Sequence, residues 1–179
     1  MARTTAQQAA AQPEVADAGS SGSRDSNWRT GKNAHLVILK SGDGFFGIDI
    51  NLVQEIVLMQ EITKVPGSAE YIAGMTDLRG RVVPVAEFAT LLEQEPSERT
   101  DETRILVVEH GGGHIGLIVD AVTEVMMVAG DKIEDATTLG TQDHEFIVAV
   151  AKLDDHLVSL VDMRRILRSA DEEFLDKAA

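Results

Sequence analysis

The chain contains the stretch His35-Leu-Val-Ile-Leu-Lys-Ser-Gly-Asp-Gly-Phe-Phe-Gly47, which returns 69 residues later as Arg104-Ile-Leu-Val-Val-Glu-His-Gly-Gly-Gly-His-Ile-Gly116. Both copies have the pattern of an apolar strand, a glycine turn and a second strand. Glycine suits such turns because it adopts positive φ angles without steric cost. The repetition predicts a chain built from two similar β units.

The match between the two halves extends well beyond these hairpins. Ile48–Val57 aligns with Leu117–Met126 at the same offset, and Tyr71–Phe88 aligns with Phe146–Met163 at an offset of 75. Any two segments rich in Val and Ile look alike, but chance does not readily give a collinear match over most of both halves. We therefore predict a mainly β fold of two small barrel-like lobes, with a six-residue insertion in the second half.

Helical signals are few. Pro66-Gly67-Ser68 is typical of a cap before a turn near Ala69, and Ala86–Leu92 has apolar spacing for about two turns. Asp162–Lys177 predicts an amphipathic C-terminal helix. Its apolar face comprises Met163, Ile166, Leu167, Ala170 and Phe174. Pro84 interrupts an otherwise good strand, so we expect it at an edge or a bulge.

The composition of the chain excludes several classes of partner and of chemistry. The net charge of −14 opposes binding to a phosphate backbone, so we expect no nucleic-acid partner. Cysteine is absent, which excludes disulfides and thiolate catalysis. No apolar run reaches the ~18 residues of a membrane span, so we expect a cytoplasmic protein without direct membrane insertion. Residues 1–33 predict a disordered tail, and its Trp28 is assigned no function.

The sequence contains only weak candidates for catalytic, metal-binding or phosphate-binding residues. His110 and His114 bracket a glycine turn without a third ligand, and Gly111–Gly113 lacks the Lys and Ser/Thr of a phosphate loop. Asp154-Asp155 is more typical of a solvated turn than of an acid–base pair. We therefore predict no catalytic residues, no metal, no cofactor and no enzymatic activity. A small β-barrel hydrolase or metal enzyme remains the alternative from another class.

The stretch Tyr71-Ile-Ala-Gly-Met-Thr-Asp-Leu-Arg-Gly-Arg-Val-Val-Pro-Val-Ala-Glu-Phe88 resembles the signature of the CheW family of bacterial chemotaxis coupling proteins. That signature usually reads Gly-φ-φ-Asn-Leu-Arg-Gly-x-φ-φ-Pro-Val, where φ is apolar. The likeness covers roughly His35 to Leu167. Asp77 replaces the usual Asn, whose turn role Asp can fill, and Ala149 replaces a usual Gly, which requires its backbone to avoid positive φ.

The resemblance implies two intertwined five-stranded SH3-like barrels with short helices and a C-terminal helix. The CheW-like domain would span 34–169, with lobe one at about 45–95 and lobe two at about 104–160 sharing strands. Residues 170–179 would end the helix.

The resemblance also implies an adaptor role. Such a protein links the cytoplasmic tips of methyl-accepting chemotaxis receptors to the regulatory domain of the histidine kinase CheA, and is recruited to receptor arrays. A coupler of a twitching or surface-sensing system is the alternative within the class.

By the same resemblance a receptor-binding set is carried over, while the kinase-binding residues stay unknown. The set comprises Val53, Glu55, Gly74, Asp77, Arg79 and Gly80. Arg79 is chemically suited to contact, because its guanidinium binds carboxylates bidentately and Arg is enriched at interface hot spots. The alternative is a structural ion pair within the turn, with Asp77 as the candidate partner. An exposed Glu55 could equally be only solvated.

Overall fold

A computed structural model describes residues 32–136 and 146–178 of the chain. The predicted disordered tail, with Trp28, lies outside the described residues apart from its last two positions. Within them the chain forms strands and two helices in the following order: β1 Ala34–Ser41, β2 Gly44–Asp49, β3 Val53–Leu58, β4 Ile72–Leu78, β5 Arg81–Glu87, α1 Phe88–Leu91, β6 Arg104–His110, β7 Gly113–Val119, β8 Ala121–Val128, β9 Ile133–Asp135, β10 Ile147–Lys152, β11 Leu157–Val161 and α2 Met163–Ala178.

The strands form two sheets that exchange hairpins between the halves of the chain. One sheet has the order β3-β6-β7-β5-β4 and the other β8-β1-β2-β11-β10-β9. Each sheet therefore takes its central hairpin from the opposite half, which confirms the predicted mainly β, intertwined architecture. The second sheet has one strand more than predicted, because β9 pairs with β10 where the first half has only the bridge between Thr63 and Met75.

Tight hairpins join consecutive strands where glycine was expected. Gly111 and Gly112 both have positive φ between β6 and β7, and Gly42 does so between β1 and β2. Asp154 and Asp155 lie in the turn between β10 and β11, as predicted. The aligned segments of the two halves therefore form equivalent hairpins.

The continuous apolar runs in β1 and β6 arise because both faces of these strands pack against hydrophobic cores. Val37, Leu39, Leu106 and Val108 lie in a central core that also contains residues of α1 and α2. The alternate positions face separate lobe cores: Leu36 and Ile38 in the six-stranded lobe, Ile105 and Val107 in the five-stranded lobe. Both runs are thus buried on each side of their sheets, as predicted.

Helices close the central core. Met163, Ile166 and Leu167 of α2 are buried there, and Ala170 packs against it, which confirms the predicted apolar face. The side chain of Phe174 lies outside the described residues. The first helix, α1, is a single turn and thus shorter than predicted from the apolar spacing of 86–92.

Pro84 lies opposite Met75, one residue before the ladder between β5 and β7 begins at Val85. A bulge lies in β4, close to but not at Pro84. The expectation that Pro84 lies at an edge or a bulge was therefore wrong, since β5 is an inner strand. The proline is tolerated because the pairing of β5 with β7 begins only at the next residue.

Candidate partner-binding surface

The β4–β5 hairpin holds the centre of the receptor-binding set. Its two-residue loop is Arg79-Gly80, with φ angles of 55° and 84°. Hairpins with this loop length favour positive φ at both residues, and Arg is an uncommon residue there. The carboxylate Oδ1 of Asp77 accepts a hydrogen bond of 2.6 Å from the Gly80 amide. This bond fixes the turn, so Asp77 does fill the role expected of Asn.

A small charged cluster surrounds the turn. Glu55 of β3 lies 3.5 Å from a guanidinium nitrogen of both Arg79 and Arg81. The Arg79 side chain is 83% exposed and that of Glu55 only 19% exposed. The structural alternative for Arg79 is therefore an ion pair with Glu55, not with Asp77. Exposed pairs of this kind contribute roughly 0–1 kcal/mol, so they restrain Arg79 only weakly.

Gly74 has a packing role. It is buried on β4, has a φ of 152°, and a Cβ there would lie 2.3 Å from the carbonyl oxygen of Thr63. Real Cβ atoms do not approach a backbone oxygen so closely. Gly74 therefore lets the segment before β4 pack against the strand. The equivalent Ala149 of β10 is buried and is not among the described non-glycine residues with positive φ, as predicted.

The remaining predicted contact residue, Val53, begins β3 and pairs with Val108. It is partly buried against the central core, and a register shift separates it from Glu55. The structure thus brings Glu55, Asp77, Arg79 and Gly80 together through the cluster and the turn. Val53 and Gly74 lie in the adjoining strands.

Sequence reasoning missed a duplicated set of exposed apolar side chains. Ile56, Leu58 and Val82 are 38%, 63% and 67% exposed in the first half. The residues at their aligned positions in the second half are exposed as well: Val125 47%, Met127 61% and Leu157 61%. The repeat alignment could have found them, because each residue of the first half aligns with its counterpart in the second. Four of the six lie on the edge strands β3 and β8, and Val82 and Leu157 lie on β5 and β11. Both lobes therefore present similar apolar surfaces.

His110 takes part in a local contact rather than in a metal site. Nε2 of His110 lies 2.7 Å from Oδ2 of Asp171, whose Oδ1 accepts a 2.7 Å hydrogen bond from the Tyr71 hydroxyl. Burial raises the pKa of Tyr71 far above its usual range, and the bond to the Asp171 carboxylate and its charge add to this. Within residues 32–136 and 146–178, no three carboxylate or imidazole side chains are arranged to hold a metal ion. His144 lies outside the described residues.

No helix in the described part of the chain combines the length and hydrophobicity needed to cross a membrane.

Together the sheets and exposed clusters define a two-lobed, intertwined β protein with a charged turn at one end of β5 and apolar surfaces repeated on both lobes. A family model described as the CheW-like domain matches residues 35–171. The chain belongs to this family.

Individual relatives agree. The chain is 29% identical to the chemotaxis protein CheW of Klebsiella aerogenes over 148 residues, covering 80% of this chain and 87% of that protein. It is 32% identical to CheW of Bacillus subtilis over 123 residues, covering 68% and 79%. The crystal structure of the scaffolding protein TtCheW from Thermoanaerobacter tengcongensis is similar with a TM-score of 0.67 and 32% identity, covering 74% of this chain and 91% of that one.

Proposed function

We propose that this protein is a chemotaxis adaptor that couples the cytoplasmic tips of chemoreceptors to the regulatory domain of the histidine kinase CheA. It would work by binding alone, in the cytoplasm, within receptor arrays. Membership of the CheW-like family supports this role, and so do relatives named as chemotaxis and scaffolding proteins.

The observation that carries the receptor-binding part is the exposed Arg79 on a fixed turn. Asp77 holds the turn, and Glu55 holds the guanidinium only weakly, so a carboxylate or carbonyl pair of a receptor could replace Glu55. Because the hairpin is rigid, little conformational freedom of the backbone would be lost on binding. Contact through Arg79 therefore combines exposure, charge and preorganisation.

For the kinase we propose the exposed apolar side chains of the lobes. Leu58 and Met127 occupy aligned positions on the two edge strands and are each more than half exposed. Apolar patches that a protein exposes to water commonly mark interaction sites. An adaptor needs separate surfaces for its partners. The exposed side chains proposed for the kinase are apolar, whereas those around the Arg79 turn are charged.

The test of receptor binding is Arg79→Asp, measured by calorimetry with a purified receptor cytoplasmic fragment. We expect at least tenfold weaker binding, because the substitution turns an attraction to acceptor groups into a repulsion. Arg164→Asp is the matched control, since Arg164 is exposed on α2 and changes net charge equally. Unchanged affinity of Arg79→Asp, or equal losses in both variants, would remove Arg79 from the interface.

The kinase proposal is tested separately with Leu58→Glu and Met127→Glu. Each places a charge on one lobe's apolar surface without disturbing a buried side chain, so the fold should be retained. Weaker binding of the kinase regulatory domain to at least one variant, with receptor binding unchanged, is expected. Full kinase binding by both variants would reject these surfaces.

A further inference from the structure

A cleft of about 480 Å³ opens between α1, α2 and the segment that precedes β4. This volume is within the range of ligand-binding pockets, roughly 300–1,000 Å³. Its apolar lining includes Tyr71, Leu91, Phe146, Ile166 and Ala170. The cleft shares no residue with the Arg79 cluster. It lies beyond the other end of β5, roughly 20 Å along the strand from Arg81.

Three carboxylates border the cleft. Glu70, Glu93 and Glu95 are exposed and line it. No lysine or arginine among the described side chains forms an ion pair with them. The cleft therefore combines an apolar lining with a negative rim that no described lysine or arginine neutralises by an ion pair.

Glu93, at the rim, has the left-handed backbone conformation that glycine usually adopts. Its φ is 58°, and it follows α1 where a helix commonly ends in a left-handed residue. The amide of Gln94 donates to the Ala89 carbonyl at 2.9 Å, and that of Glu93 donates to the Thr90 carbonyl at 3.0 Å. These bonds fix the backbone that carries the carboxylate at the edge of the cleft.

The opposite wall is also held in place. Asp171 of α2 accepts a hydrogen bond from the Tyr71 hydroxyl and contacts His110 at the tip of the β6–β7 hairpin. The buried side chains Ile166 and Leu167 anchor the same helix in the central core. The cleft is therefore formed without a partner, so binding would require little reorganisation.

We propose that this cleft binds a cationic amphipathic peptide segment of a partner protein. Apolar side chains of the segment would enter the cleft, and its Lys or Arg residues would pair with Glu70, Glu93 and Glu95. An acidic partner would be repelled by the rim. A wholly apolar partner would desolvate the three carboxylates without giving them a counter-charge, which is costly. Charge complementarity therefore selects the cationic segment.

The proposal is tested with a fluorescein-labelled helical peptide of 16 residues, with Leu at the i, i+3, i+4 and i+7 positions and Lys and Ala elsewhere. Its anisotropy is measured with the full chain and with three variants. Glu93→Lys/Glu95→Lys should weaken binding about tenfold or more. Ala170→Leu, which fills the cleft without changing charge, should weaken it as well. Glu102→Lys/Glu124→Lys, a pair of exposed carboxylates outside the cleft with the same charge change, should have less than a twofold effect.

Far-UV circular dichroism and thermal unfolding of each variant confirm that it is folded before binding is compared. Equal weakening in the two lysine double variants would mean general attraction to an acidic protein and would overturn the proposal. Absence of binding to the unsubstituted chain, or full binding by Ala170→Leu, would overturn it too. Receptor and kinase binding do not enter this test, so its outcome is independent of the adaptor role.

Discussion

Gly74→Ala is expected to destabilise the protein strongly, because two separate costs meet at this position. The residue has a φ of 152°, which L-residues other than glycine rarely adopt, and this strain costs about 1–3 kcal/mol. A Cβ would also lie 2.3 Å from the Thr63 carbonyl oxygen and 2.8 Å from Cγ2 of Ile62. Relieving such overpacking typically costs about 1–3 kcal/mol more. The free energy of unfolding should therefore fall by about 2–6 kcal/mol.

The measurement is urea unfolding followed by far-UV circular dichroism, with thermal unfolding alongside. For a domain of this size the loss corresponds to a melting temperature lower by about 5–20 °C. Gly67→Ala is the matched control, because Gly67 also has positive φ, 78°, but a Cβ there meets nothing within 4 Å. It should lose only the conformational strain, about 1–2 kcal/mol.

Equal losses in the two glycine variants would refute the packing role of Gly74. So would a Gly74→Ala protein of normal stability that binds receptor poorly, since that result would assign Gly74 to direct contact. The packing role predicts instead that any loss of receptor binding accompanies a loss of stability.

Three further predictions concern local interactions. Asp77→Ala should lower the free energy of unfolding by about 0.5–1.5 kcal/mol, because the hydrogen bond to the Gly80 amide is lost. Asp77→Asn should lose less, because its amide oxygen can accept the same bond. Urea unfolding compares the two variants, and equal losses would contradict the turn role of Asp77. Glu93→Gly should raise the free energy of unfolding by about 0.5–1 kcal/mol by relieving the left-handed conformation, and a lower stability in the same assay would show that no strain is present. Tyr71 is the only tyrosine, so absorbance at 295 nm reports its ionisation alone. Because the fold raises the pKa of Tyr71, the free energy of unfolding should be unaffected by its ionisation below the ordinary tyrosine pKa of about 10 and should fall as the pH rises above it. Tyr71→Phe should remove that fall, and a native protein whose tyrosine titrates near 10 would contradict the account.

Much of the fold could be predicted because the two halves of the chain repeat the same strand pattern. Repeated hairpins with glycine turns indicated two β units, and the uninterrupted apolar runs at Leu36–Leu39 and Ile105–Val108 indicated strands covered on both faces. The structure explains these runs by a central core shared between the sheets. The extra strand β9 was missed, since three residues are too few for a periodic signal.

The candidate site was harder to predict, because it depends on which side chains meet in space. Arg79 was expected to contact a partner, with an ion pair inside its own turn as the alternative, but its guanidinium lies 3.5 Å from Glu55 of β3, 24 positions earlier in the chain. Similarly, the contact of His110 with Asp171 joins residues far apart in the sequence. Four of the six exposed apolar residues lie on the edge strands β3 and β8, and hydropathy alone does not reveal which strands form the edges.

The proposed adaptor role requires that one two-lobed body bind a receptor and the kinase at the same time. It is tested most directly by analytical ultracentrifugation of the purified protein with a receptor cytoplasmic fragment and the CheA regulatory domain, first singly and then together. We expect two binary complexes and a faster-sedimenting ternary complex that contains all three proteins. Binding to neither partner, or competition between the two for one surface, would contradict it.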